Sequence, residues 1–204
     1  VWDGPVWRFS TASSIVVDNF ETGYDDTEVN AVWATWIDGL GNSALGGSQM
    51  GNDALPFLST NNYNGGHSAP IKFNNTAAPG FSEVKAQTVD LPIANSNWTI
   101  GAPTTLVLWI QGNSGNNAAT DRLYVKIGTA KILFTGDISK PRWYQMNVPL
   151  STAGINPSNV SSITIGIEKI GASAVAAEPQ PTTKVEEPAA PAPQAEAKAD
   201  DLPF

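Results

Sequence analysis

The segment Leu123-Tyr124-Val125-Lys126-Ile127 has aliphatic side chains at its odd-numbered positions and side chains with a polar group at its even-numbered positions. Successive side chains of a β-strand point to opposite faces, so this period of two predicts a strand with one face in the core. The segment Leu106-Val107-Leu108-Trp109-Ile110 is apolar at every position. That pattern is typical of a central strand whose outer face is itself covered or used.

Similar short apolar segments recur along the chain and are separated by turn-forming residues. The sequence has 18 glycines and 15 prolines, with abundant Asn, Ser and Thr, which leaves no room for long helices. The further segments are 15–20, 69–73, 82–91, 131–135, 143–150 and 162–168. We therefore predict an all-β fold over residues 15–175, an antiparallel β-sandwich of jelly-roll type.

The composition restricts the chemistry of the protein. The 204 residues include 11 basic and 19 acidic side chains, a net charge of -8, and no cysteine, which excludes disulfides and thiolate-held metals. Because the net charge would repel phosphates, we expect no nucleic-acid binding by the body of the protein. No run of about 18 apolar residues is present, so we expect no membrane span. Because no Met or leader-like segment precedes Val1, we expect a processed chain or a fragment.

The composition changes abruptly after Ile170. Residues 171–204 contain many Ala and Pro residues, six acidic residues and two lysines, and no aromatic residue before Phe204. Such a segment buries too little apolar surface to offset the entropy cost of ordering. We therefore predict that residues 176–204 form a disordered, acidic, Pro/Ala-rich tail.

Several motifs, in order, carry a resemblance to a known kind of domain. They are Val16-Val17-Asp18-Asn19-Phe20-Glu21, Thr35-Trp36-Ile37-Asp38-Gly39, Gly65-Gly66-His67-Ser68-Ala69-Pro70, Phe73-Asn74-Asn75 and Phe81-Ser82-Glu83. Together they resemble the carbohydrate-binding-like jelly-roll module of large secreted proteins from planctomycete-type bacteria. Residues 4–11 resemble the closing strand of the fibronectin-III-like modules that precede other domains in such proteins. The resemblance implies an extracellular or cell-surface protein that binds polysaccharide or another surface polymer.

The family pattern ends in a last strand that lies beside the first, and this chain lacks it. Residues 166–169 lead directly into Ala174-Val175-Ala176-Ala177 and the tail. An open sheet edge invites another strand. We expect the edge to be filled by the segment Val6–Phe9 within residues 1–14, or by a neighbouring chain in a homo-oligomer. The alternative is that residues 172–185 supply a poor last strand. Strand complementation would make the protein an assembly subunit of a filament or surface layer.

The acidic residues near the first predicted strand are candidate metal ligands. Calcium takes six to eight oxygen ligands, and a loop rich in carboxylates supplies several. Modules that this sequence resembles often hold a structural calcium ion near an Asp-x-Phe-Glu motif, which implies Asp18, Glu21 and Asp25 as ligands. The acidic residues that the family's closing strand adds are absent here. The alternative is a solvated acidic loop.

The best candidate for a binding face combines aromatic rings with hydrogen-bonding side chains. Alternation places Trp143, Gln145 and Asn147 on one face of their strand. In two other strands it places Trp109, and Tyr124 with Lys126, on the face that points away from the core residues. If these strands, with Glu83, Lys85 and Gln87, share one sheet, its outer face would suit stacking of sugar rings. The alternative is a face packed under a loop or a neighbouring domain.

Three tryptophans lie outside that face. Trp36 belongs to the family motif and is predicted to be a core anchor, and Trp98 is predicted to fill one end of the sandwich. Trp33 is less constrained and remains a candidate ligand contact.

We expect no catalytic activity. No Gly-x-Ser-x-Gly, P-loop or His-Glu-x-x-His motif occurs, and the single histidine, His67, lies in a turn-like Asn-Gly-Gly-His-Ser segment typical of a surface histidine. Paired carboxylates perform glycoside hydrolysis only within a deep cleft, which sequence spacing does not reveal.

The last five residues, 200–204, form a separate motif. Asp200, Asp201 and Phe204 resemble the acidic tip with which bacterial single-stranded DNA-binding proteins dock into partner pockets. The resemblance implies that an adaptor function is a third possibility. The alternative is a chance match or a composite sequence.

Overall fold

The computed structural model describes residues 15–76, 79–93 and 96–170. Their elements are a short helix α1 (Val32–Thr35), a 3-10 turn (Ser43–Leu45) and the strands β1 (Gln49–Met50), β2 (Ile71–Lys72), β3 (Phe81–Gln87), β4 (Thr105–Gln111), β5 (Asp121–Ile127), β6 (Ala130–Leu133), β7 (Trp143–Pro149) and β8 (Ser162–Lys169). The predictions for residues 1–14, for the possible last strand 172–185 and for the tail with Asp200, Asp201 and Phe204 lie outside the described residues. Within the described ranges, no helix is long and apolar enough to cross a membrane.

The larger sheet has four antiparallel strands in the order β3-β8-β5-β6. The register pairs Val125 with Ile165 and Ile127 with Ile163, so the aliphatic side chains of the two neighbouring strands point to the same side of the sheet. Val84, Val125 and Ile127 are fully buried there. Each such side chain stabilises the fold by about 1.5–3 kcal/mol relative to an exposed one.

The second long antiparallel pair is β4 with β7. Leu106 of β4 and Met146 and Val148 of β7 join the same hydrophobic cluster as the aliphatic residues of the larger sheet. From β3 to β8, successive strands alternate between these two sheets except for β5 and β6, which are neighbours in the larger sheet. The prediction of an antiparallel all-β sandwich is thus confirmed, and alternation between layers is the connectivity of a jelly roll.

The predicted first strand at residues 15–20 is wrong. Asp18 accepts a hydrogen bond from the backbone N–H of Phe20, and Asn19 accepts bonds from the N–H groups of Glu21 and Thr22. These bonds hold the backbone in a turn, with Phe20 at a φ of 56°, so the segment pairs with no described strand. Ile15, Val17 and Phe20 of the segment still pack against the core.

The core roles predicted for two tryptophans are observed. Trp36 and Trp98 are almost completely buried. Trp36 follows α1, and its indole N–H donates a hydrogen bond to Asp18 over 2.8 Å, which attaches the segment 15–20 to the core. Next to Trp36, Ile37 exchanges two backbone hydrogen bonds with Lys85 of β3, so the chain borders the larger sheet at that edge.

Candidate functional site

The outer face of the β4–β7 pair carries most of the predicted binding residues. The register places Trp109 opposite Gln145, Gln111 opposite Trp143 and Val107 opposite Asn147. The alternate side chains face the core, so these six residues share the outer side. The structure therefore brings together Trp109, Trp143, Gln145 and Asn147, as alternation indicated. All residues on this face are uncharged.

A loop residue that the sequence analysis missed completes this face. The ring of Tyr63 lies parallel to the indole of Trp109, with centroids 3.4 Å apart and planes inclined by 13°. The same ring meets Trp143 edge-on, at a centroid distance of 6.3 Å and an angle of 60°. Tyr63 is 40% exposed. We call these three rings, Tyr63, Trp109 and Trp143, the aromatic platform.

The alternative prediction of a covering loop is partly met, because residues 59–68 reach over the face. Ser59 and Ser68 exchange two backbone hydrogen bonds of 2.9 Å, which close the loop at its base. The side chain of Asn61 donates to Gln111 of β4 over 2.5 Å. The loop thus covers one face of Trp109 while presenting Tyr63 in its place.

Glu21 fixes the far side of the same loop. Its carboxylate accepts hydrogen bonds from the backbone N–H groups of Gly66 and His67, at 2.6 and 2.7 Å, and lies 2.8 Å from Nδ1 of His67. These bonds, above all the one from the His67 ring, hold the pKa of Glu21 below its ordinary value. His67 is a partly exposed turn residue, as predicted, and its ring serves this anchor.

Amide groups border the aromatic platform on β7. The side chain of Gln145 donates to Oδ1 of Asn147 over 2.7 Å, which orients both amides along the strand. Beside them, Trp143 is only partly buried. Rings flanked by amides offer apolar contact and hydrogen bonds to one ligand at the same time.

Tyr124 and Lys126 do not belong to this face, because β5 lies in the four-stranded sheet. The expectation that all the predicted binding strands share one sheet is therefore wrong. Tyr124 is only 1% exposed. It lies across Gly166 of β8, where an added Cβ would be 2.3 Å from its Cζ.

Charged side chains enclose Tyr124 on the outer face of the larger sheet. Glu83 accepts hydrogen bonds from both Tyr124 and Lys126, and Lys131 pairs with Glu168 over 2.5 Å. Burial, and next the hydrogen bond to Glu83, raise the pKa of the Tyr124 hydroxyl above its ordinary range. A small cleft of about 290 Å³ opens over these residues. Because each charge has a partner, we assign the cluster to sheet stability.

Trp33 lies away from the aromatic platform, in a separate groove. Trp33 is the second residue of α1, and its indole lies against the ring of Phe57, with centroids 4.3 Å apart in an edge-to-face arrangement. The groove beside it has a volume of about 350 Å³.

The three carboxylates implied as calcium ligands are each engaged by different partners. Asp18 bonds to Trp36 and Tyr24, Glu21 bonds to the 59–68 loop, and Asp25 accepts bonds from Thr27 and from Asn30. In the part of the chain that the structure describes, no three His, Asp or Glu side chains are grouped as a metal site. Calcium binding stays a prediction, and these three carboxylates do not form one cluster of ligands for it.

No protein-family model, curated protein or solved structure matches this chain. Fold and site together define an antiparallel β-sandwich with an aromatic platform on the β4–β7 pair. The resemblance to secreted carbohydrate-binding-like modules stays a prediction.

Proposed function

We propose that the protein binds a neutral polysaccharide through the aromatic platform and performs no catalysis. The observation that carries the proposal is the grouping of Tyr63, Trp109 and Trp143 beside the amides of Gln145 and Asn147. Sugar rings present C–H groups to aromatic faces, while their hydroxyls pair with amides. Residues of β4 and β7 supply rings and amides side by side.

The charge of the face favours a neutral ligand over a charged one. The outer side of β4 and β7 and the segment Asn61–Asn64 contain no charged side chain, although the whole chain carries a net charge of -8. An anionic polymer would gain no ion pair at the aromatic platform and would be repelled by the protein as a whole. In this proposal the chain acts as a module of an extracellular or cell-surface protein, as the resemblance implies.

Affinity electrophoresis tests the proposal directly. Gels containing mixed-linkage glucan, galactomannan, xylan or another cell-surface polymer should retard the protein in at least one case, whereas polygalacturonate should not. Trp143→Ala and Tyr63→Ala should each reduce the retardation. Ile100→Ala provides a control, because Ile100 is an exposed apolar residue outside the platform. Equal retardation of all variants, or no retardation of the wild-type protein by any neutral polymer, would contradict the proposal.

Assembly by strand addition is a second candidate because of the edge of β4. Among the described residues, β4 is hydrogen-bonded along one edge only, to β7. Proteins commonly protect an open edge with charged side chains or proline. The seven residues of β4, Thr105–Gln111, include neither. Under this candidate the protein should elute as an oligomer in size-exclusion chromatography with light scattering. Val107→Lys should then give monomers, whereas a wild-type monomer at high concentration would count against assembly.

A further inference from the structure

The groove beside Trp33 is a concave surface that shares no lining residue with the aromatic platform. Its lining combines apolar and polar residues: it includes Trp33, Leu40 and Met50 together with Gln49, Asn52 and Asp53. The volume of about 350 Å³ lies at the low end of the range for small-molecule sites.

A buried carboxylate connects the two walls of the groove. Asp38 is only 8% exposed. Its Oδ1 accepts the backbone N–H of Leu40 on one wall over 2.9 Å, and its Oδ2 accepts that of Met50 on the other over 2.7 Å. Because one side chain bonds both walls, the width of the groove is set before any ligand arrives.

The indole of Trp33 is held just as firmly. Phe57 contacts Trp33 edge-to-face, and Gly51 lies close to the indole, since an added Cβ would be 3.2 Å from Cε3 of Trp33. Gly51 also has a φ of +85°, which other residues rarely adopt. A fixed aromatic ring loses little entropy when a ligand stacks on it.

The polar lining residues determine which ligand chemistry the groove accepts. The side chain of Gln49 donates to Asp53 over 2.7 Å, and Lys72 forms an ion pair with the other oxygen of Asp53. The lining residues include two aspartates and no lysine or arginine. Phosphate, sulfate or uronate groups would therefore meet no cation in the lining, whereas hydroxyl groups would meet amide and carboxylate partners.

We infer that the Trp33 groove is a second saccharide site, which takes one or two neutral sugar units of a chain. This inference extends the proposed function but does not depend on the aromatic platform, because none of the lining residues belongs to it. With both sites present, a polymer that reaches both is bound more tightly than a short oligosaccharide, since its second contact is intramolecular.

Binding of short oligosaccharides to the intact chain tests the inference. Cellotetraose, mannotetraose and xylotetraose are titrated by calorimetry and by tryptophan fluorescence, with tetragalacturonate as the charged comparison. At least one neutral tetrasaccharide should bind to the Trp143→Ala variant, in which the platform is damaged and the groove is intact. Gln49→Ala should weaken that binding by about tenfold, because a hydrogen-bonding partner in the lining is lost.

The controls separate the two sites and guard against unfolding. Gln87→Ala makes the same chemical change at an exposed residue outside the groove and should leave binding unchanged. In the Trp143→Ala background, Trp33→Ala should abolish tetrasaccharide binding, and circular dichroism shows whether the double variant still folds. Gln49→Ala in the same background gives the decisive result if it does not. The inference is overturned if no neutral tetrasaccharide binds, or if Gln49→Ala leaves the affinity for the tetrasaccharide unchanged. Loss of polymer retardation in Trp143→Ala reports on the proposed function alone.

Discussion

Tyr63 lies flat on Trp109, although the two residues belong to a loop and to a strand far apart in the sequence. Because the Tyr63 ring covers one face of the Trp109 indole, the loop residue supplies aromatic surface there in place of the strand residue. Glu21 anchors that loop from a third part of the chain. The shape of the proposed polysaccharide site therefore depends on three segments that meet only in the folded protein.

Replacing Tyr63 should separate the role of its ring from that of its hydroxyl. Tyr63→Ala should lower the free energy of unfolding by about 1 kcal/mol, because a stacked aromatic pair contributes about 0.5–1.5 kcal/mol beyond the area it buries. Tyr63→Phe should change it little, because the stack is retained. Urea unfolding measures both values, and the total tryptophan emission, to which Trp109 contributes, should shift to longer wavelength only in Tyr63→Ala. Equal effects of the two substitutions would show that the stack contributes nothing.

Acid should loosen the loop that carries Tyr63. The pKa of Glu21 is depressed below its ordinary value of 4.5, so the ionised carboxylate stabilises the folded loop. That contribution is complete above pH 4.5 and is lost as the pH falls through the depressed pKa. The amide NMR signals of Gly66 and His67 should therefore move over this acidic range.

A substitution at neutral pH tests the same anchoring role of Glu21 without a change of pH. Glu21→Gln removes the charge, so the amides of Gly66 and His67 should exchange faster with solvent than in the wild-type protein. Glu28→Gln is the control, because Glu28 is an exposed residue of the following segment. Amide signals that stay fixed in acid and unchanged exchange in Glu21→Gln would refute the anchoring role.

Sequence alternation predicted the strands well because it is a local property. The parity of β4 and β7 placed Trp109 and Trp143 on one side, and the observed register agrees. Parity does not say which strands pair, so it assigned Tyr124 to the same face although β5 belongs to the other sheet. The pairing of strands depends on long-range packing, which leaves no periodic signal.

Two other features had weak or no local signals. Tyr63 lies in an irregular loop, so no pattern connected it with Trp109. The segment 15–20 is apolar enough for a strand, and only its Asp18-Asn19 pair indicated that it would form a turn. Short polar side chains of this kind bond to nearby backbone N–H groups and compete with sheet formation.

Adding a methyl group at Gly166 should destabilise the larger sheet. A Cβ there would lie 2.3 Å from Cζ of Tyr124 and 2.5 Å from its hydroxyl, so the ring must leave its position over β8. Gly166→Ala should lower the free energy of unfolding by about 1–3 kcal/mol, the cost of overpacking. Gly115→Ala is the control, because the nearest atom to its Cβ would be a side-chain oxygen of Asn113 at 3.2 Å. Similar urea midpoints for the two variants would contradict the proposed contact.

Loss of Lys131 should destabilise the fold more than loss of a lysine in an exposed ion pair. Lys131 is 18% exposed in its side chain, pairs with the nearly buried Glu168 and lies 4.1 Å from the ring centroid of Tyr124. Lys131→Met keeps the apolar part of the side chain but leaves the Glu168 carboxylate without its cation. Because removing one partner of a buried pair costs about 3–5 kcal/mol and this pair retains some contact with water, we expect a loss of about 2–4 kcal/mol.

The same substitution at Lys140 isolates the effect of burial. Lys140 pairs with Asp137 at 4.0 Å, and both side chains are exposed, so Lys140→Met should change the free energy of unfolding by less than about 0.5 kcal/mol. Urea unfolding at neutral pH measures both variants under the same conditions. A loss in Lys131→Met no larger than that in Lys140→Met would mean that Glu168 finds water or another donor when its lysine is removed. The charged cluster around Tyr124 would then not link β6 to β8 across β5, and its assignment to sheet stability would have to be abandoned.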